Sequence, residues 1–109
     1  MPIVQLESTK DFNDFISQKK LTLVNFYGEW SEECRYFASD FDVLARDFGG
    51  MVQFGIVNAG QSRETHMISA EYEIETFPTF IFYKKGLILD KIEGSDIRKL
   101  VIAIQEYGQ

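Results

Sequence analysis

Apolar residues recur along the chain in blocks of two alternating periods. Ile3–Leu6 is a short apolar run that reads as a strand. Ser8 followed by Asp11 has the form of a helix-capping pair, with Asp in the usual Glu position, and Phe12, Phe15 and Ile16 then repeat at helical spacing. Leu21–Tyr27 is rich in branched and aromatic residues, as expected of a buried strand. From about Glu32 to Phe48 the residues Cys34, Phe37, Ala38, Phe41, Leu44, Ala45 and Phe48 form one helical stripe, ended by Gly49 and Gly50.

Met51–Val57 is a second buried strand, and 58–62 a loop. Arg63–Tyr72 is a helix with Met67 and Ile68 predicted inward. Thr79–Tyr83 and Leu87–Ile92 are strands joined across Lys84, Lys85 and Gly86, a connection short enough for an antiparallel hairpin. Ser95 is placed to cap a last helix whose inner face is Leu100, Val101 and Ile104. Helical crossovers make the early strands parallel, and the hairpin makes the late pair antiparallel. The expectation is an α/β domain with a central mixed sheet flanked by four helices, in the order βαβαβαββα, spanning 1–109 as one domain.

Charge and cysteine usage narrow the function. A net charge of −6 with scattered Lys and Arg argues against binding nucleic acid or an anionic membrane, both of which need basic patches. The single cysteine, Cys34, rules out an intrachain disulfide, and no apolar segment has the length of a signal peptide core or a membrane span. A cytoplasmic protein, monomeric or weakly dimeric, is the expectation. His66, the only histidine, reads as a surface helix residue. One His and one Cys at unrelated places make no metal site, and no cofactor motif is present.

Four segments in order resemble the thioredoxin family. The run Leu23–Trp30, continued by Ser31, Glu32, Glu33 and Cys34, resembles the strand that leads into that family's Trp-Cys-Gly-Pro-Cys segment. Tyr72–Thr79, containing Phe77 and Pro78, resembles its cis-proline segment. Phe80–Gly86 resembles its hairpin, and Gly94 its late glycine. The resemblance implies a cis bond before Pro78. It also implies a groove of Trp30, Thr76, Phe77, Pro78 and Gly94 that holds an extended peptide or protein client by β-augmentation.

The same resemblance marks what has changed. Family members attack a client disulfide with a thiolate at a helix N-terminus and resolve the mixed disulfide with a second thiol three residues on. Here the first position is Ser31, whose hydroxyl forms no disulfide; the second, Cys34, is retained. Asn25 replaces a buried acid that serves proton transfer. Glu32 and Glu33 replace Gly-Pro and oppose a nearby thiolate by like charge. A buried Asn25 needs hydrogen-bond partners, and an unpaired one would argue against this correspondence.

The leading expectation is a redox-inactive or redox-impaired protein-binding module. The alternative is a thiol–disulfide oxidoreductase of cell redox homeostasis. It would act through Cys34 alone or be inactivated by an engineered Cys-to-Ser change at position 31.

Overall fold

The computed structural model describes residues 3–108; residues 1, 2 and 109, which the expected domain span includes, lie outside the described residues. The elements are β1 (Ile3–Gln5), α1 (Thr9–Ile16), β2 (Leu21–Tyr27), α2 (Glu32–Phe48), β3 (Val52–Asn58), α3 (Arg63–Glu71), β4 (Thr79–Lys84), β5 (Leu87–Glu93) and α4 (Ile97–Tyr107). Element order and type match the sequence expectation.

The five strands lie in the order β1-β3-β2-β4-β5. β3 runs parallel to both β1 and β2; β4 is antiparallel to both β2 and β5. β2 is central, and Leu21–Phe26 are buried on both faces, hence its nearly continuous apolar composition.

Alternation along β2 and β4 divides the core in two. Leu21, Leu23, Phe80 and Phe82 face α2 and α4, against Phe37, Phe41, Leu44, Leu100 and Ile104. Val24, Phe26, Ile81 and Tyr83 face the other side, against Phe12, Ile16 and Ile68. Aromatic edges fill both layers, with Phe41 T-shaped on Phe54 and Phe12 T-shaped on Tyr83.

The β4–β5 turn places Lys85 and Gly86 at φ 54° and 80°, the left-handed pair that matches strand twist in a two-residue hairpin. Its amides donate to Gln18 O (2.9 Å) and Ile16 O (2.8 Å), tying the hairpin to the end of α1.

Three expectations are corrected. Met67 points outward at 60% exposure. The inner face of α3 is Thr65, Ile68 and Ser69, and Ser69 Oγ is satisfied by Thr65 O at 3.1 Å, so small hydroxyl residues take the buried positions. Ala38 lies on the exposed side of its helix, since the stripe narrows to Cys34, Phe37, Phe41, Leu44 and Ala45. The cap of α4 is Asp96, not Ser95. Asp96 Oδ1 accepts from Arg98 N (3.0 Å) and Lys99 N (3.4 Å), while Ser95 is engaged elsewhere.

Asp96→Ala is expected to cost about 1 kcal/mol in urea unfolding, the usual worth of such a cap, and Ser95→Ala to act through a different contact described below. A second prediction concerns alkali. Burial pushes the Tyr83 phenol well above its ordinary 10.0, and the adjoining Tyr72 adds to this. Above about pH 10 the unfolded chain therefore loses this proton while the folded chain keeps it. Stability from this group is level up to that pH and falls beyond it. Tyr83 OH makes no well-formed hydrogen bond, so Tyr83→Phe should be near neutral at pH 7 and should flatten the alkaline fall in a stability–pH series.

Candidate functional site

β2 ends at Tyr27, and the chain turns at once: Ser31 N donates to Gly28 O at 3.0 Å. The turn sets Ser31 at the N-cap of α2, with φ −86° and ψ 118°. Its Oγ accepts from Cys34 N at 3.3 Å and donates to Phe77 O at 3.2 Å. One hydroxyl thus serves a free helix amide and bridges to the segment before β4.

That segment contains the Phe77–Pro78 peptide bond, which is cis. Pro78 O accepts from Gly94 N at 2.9 Å, and Thr76 O accepts from Thr79 Oγ1 at 2.5 Å. Gly94 has φ 92°, a backbone conformation that favours glycine. Trp30 stands edge-on to Phe77 with ring centroids 5.1 Å apart, and is 61% exposed. Trp30, Thr76, Phe77 and Gly94, singled out from sequence, therefore lie exposed or half-buried about Pro78, itself buried, next to Ser31.

Glycines seat the indole. A Cβ on Gly28 would lie 2.4 Å from Trp30 ring atoms, and one on Gly60 2.9 Å. The loop carrying Gly60 is fastened beneath by Asn58, whose Nδ2 donates to Glu29 Oε1 at 3.1 Å and whose Oδ1 accepts from Gly60 N at 3.2 Å. Arg35 Nη1 donates to Glu29 O at 2.6 Å and closes the turn from the helix side.

Glu33 is a structural clamp that sequence reading missed. Its Oε2 accepts from both Ser95 N (3.0 Å) and Ser95 Oγ (2.7 Å), joining the first turn of α2 to the loop before α4. The two partners are 62 residues apart in sequence, and neither residue type signals the pairing. Glu32 remains exposed beside it.

Behind the helix N-terminus, Cys34 is buried, 6% exposed, and carries a free thiol. Asn25 is buried to the same degree, and its Oδ1 has no hydrogen-bond partner. This departs from the expectation that a buried Asn25 is satisfied. Both residues line a cleft of about 590 Å³ between α2 and the sheet. Tyr27 lines it too; burial raises its phenol pKa, and Glu29 and Cys34 add to the rise.

Chemically, the arrangement offers a helix N-terminus capped by a hydroxyl, one sequestered thiol and an exposed aromatic ledge beside a bent backbone. Among the described residues, no group of three or more His, Cys, Asp or Glu is placed to hold a metal ion, and no helix is long and apolar enough to cross a membrane.

The thioredoxin family profile matches residues 3–106. Thioredoxin H5 of Arabidopsis thaliana is 34% identical over 94% of this chain and 80% of its own length. The mitochondrial thioredoxin-2 of Schizosaccharomyces pombe is 30% identical over 95% and 75%. The X-ray structure of Fasciola hepatica thioredoxin, 28% identical, superposes with a TM-score of 0.86 over 95% of this chain and 98% of that one. These matches show the family, although the unpaired Asn25 oxygen counts against the correspondence at that position. The chain belongs to the thioredoxin family.

Proposed function

We propose that this chain works on protein clients as a thioredoxin-type protein, seating an extended segment along Phe77 and Pro78, with the two-thiol reductase cycle blocked at Ser31. Family membership supports the thiol–disulfide oxidoreductase reading better than that of a redox-inactive binding module. The residues at positions 25, 31, 32 and 33 support impairment of the chemistry rather than of client binding.

The observation that carries this reading is the position of Ser31 Oγ. It caps α2 where the positive end of the helix dipole would stabilise a thiolate, and it reaches the Phe77 carbonyl. A hydroxyl there does not ionise near neutral pH and forms no mixed disulfide. Cys34, one turn further in, is buried, so a client sulfur has to displace protein atoms to meet it. Asn25 supplies no proton, and two carboxylates precede the thiol.

The groove side retains what binding needs. An exposed Trp beside a Phe is a typical anchor for a partner, and the bent backbone at Phe77–Pro78 beside them offers peptide groups for strand pairing. A reading in which Cys34 works alone as a monothiol remains the second choice, favoured by family membership and opposed by its burial.

Dithiothreitol-driven reduction of insulin disulfides is the test. The chain as it stands is expected to run at the uncatalysed rate. Ser31→Cys is expected to restore turnover, and adding Asn25→Asp to raise it further by up to about 100-fold, the scale of a positioned proton-transfer group. Turnover by the unaltered chain would overturn the block at Ser31 and establish the monothiol reading.

The groove has its own test. Gly28→Ala should push the only Trp off its seat, seen as a red shift of tryptophan emission, and should weaken binding of an extended client peptide by about tenfold. Unchanged emission and binding would place client contact elsewhere.

A further inference from the structure

On α2, Glu32, Tyr36 and Asp40 recur at one-turn spacing and so share a face of the helix, with Glu33 and Phe37 on the adjoining stripe. Together with Ser95 they enclose an open pit of about 490 Å³. The pit lies beside the client groove. Ser95, held by Glu33, directly follows Gly94, whose amide donates to Pro78 O at 2.9 Å. Backbone pairing of a client along Phe77 leaves the pit unused.

Two independent features decide what fits there. The first is Tyr36, 75% exposed, which gives the pit an aromatic wall. The second is charge. The pit is lined by the carboxylates Glu32, Glu33 and Asp40 and by no Lys or Arg. The groove beside it has the same sign. Within two residues of Trp30, Thr76, Phe77, Pro78 or Gly94 stand Glu29, Glu32, Glu75, Glu93 and Asp96, and none of the chain's 11 Lys and Arg. The nearest cations are committed elsewhere, Arg35 to Glu29 O at 2.6 Å and Lys91 Nζ to Tyr72 O at 3.4 Å. An aromatic face and carboxylates both attract a cation. Among the described residues no acidic group is drawn together to hold a metal ion, so these carboxylates surround a space rather than a point. A planar guanidinium suits such a space, since it stacks on a ring while its edge meets carboxylates. A second copy of this chain, itself at −6, is repelled on net charge.

We propose that the clients of this chain are basic segments, and that an arginine beside the residues paired along Phe77 enters this pit, stacking on Tyr36 and pairing with Glu32 and Asp40. The inference rests on the client groove proposed above and names the chemistry of its occupant. Ser31 takes no part in it. The acidic rim draws a basic segment toward the groove, and the pit then fixes where along the groove that segment sits.

The probes are two short acetylated, amidated peptides of alternating valine and threonine. One has arginine at both ends, so that either strand direction offers one to the pit; the other has citrulline, the neutral isostere, in those places. Each is titrated into the 15N-labelled full chain and followed by amide chemical shifts. The arginine peptide is expected to bind about tenfold more tightly, shifting Tyr36, Asp40 and Ser95 as well as Phe77 and Gly94. The citrulline peptide should shift Phe77 and Gly94 alone. Sodium chloride at about 1 M should bring the two affinities together. Tyr36→Ala, at an exposed position, should weaken the arginine peptide about threefold, and Glu32→Gln combined with Asp40→Asn should remove most of the preference. Equal affinity of the two peptides, with shifts at Phe77 and Gly94, would overturn the pit and leave the groove standing. So would a preference for arginine that survives the double variant. Arginine-dependent shifts at Tyr36 and Asp40 with none at Phe77 or Gly94 would uphold the pit and overturn the groove. No saturable shifts with either peptide would overturn both.

Discussion

Burial of β2 on both faces is the constraint from which the rest follows. Leu21, Leu23, Val24 and Phe26 reach helices on opposite sides of the sheet, so the strand must sit at the centre, hydrogen-bonded to β3 on one edge and β4 on the other. The central position fixes the direction in which the chain leaves the sheet. It exits beside the start of β4, so the turn at Gly28 delivers Ser31 within hydrogen-bond distance of Phe77. A slip of one residue in β2 would turn Asn25 and the apolar residues to the wrong layers and carry Ser31 away from that carbonyl.

The elements were legible in the sequence because each has a period suited to its burial. β2 and β4 are apolar almost without interruption because both faces are covered, and α2 carries an apolar stripe every third or fourth residue, centred on Phe37 and Phe41. The errors fall where polarity and burial part company. Thr65 and Ser69 are buried in α3 because their hydroxyls are satisfied close by, and Met67 is exposed although apolar. Ser95 has the right chemistry for a cap, but Glu33 claims both its amide and its hydroxyl, leaving the helix end to Asp96.

The surface about Trp30 and Phe77 was legible for a different reason. Trp30, Phe77, Pro78 and Gly94 lie in three of the four segments whose order and spacing resemble one family, and the fold brings them together. What holds the surface rigid was not legible. The Glu33–Ser95 clamp and the Glu29–Asn58–Gly60 chain join residues distant in sequence through ordinary polar groups, and no local pattern marks such pairs. The cleft was equally hidden, because its lining comes from β1, β2, α2 and β3, segments distant in sequence.

Ser31 explains how a fold built around a thiol keeps its shape without one at this position. A thiolate at a helix N-terminus accepts hydrogen bonds from free amides, and removing it would leave those amides and the facing backbone unserved. A serine oxygen accepts from Cys34 N and, unlike a thiolate, also donates to Phe77 O. The hydroxyl therefore locks the helix start to the proline segment in the neutral state, with no charge beside Glu32 and Glu33. In a chain with a thiolate at this position those two carboxylates would work against the nucleophile. With Ser31 they are free to serve the first turn of α2, where negative charge is favourable, and Glu33 can take up Ser95. Ser31, Glu32 and Glu33 are thus mutually consistent as a structural N-terminus of α2.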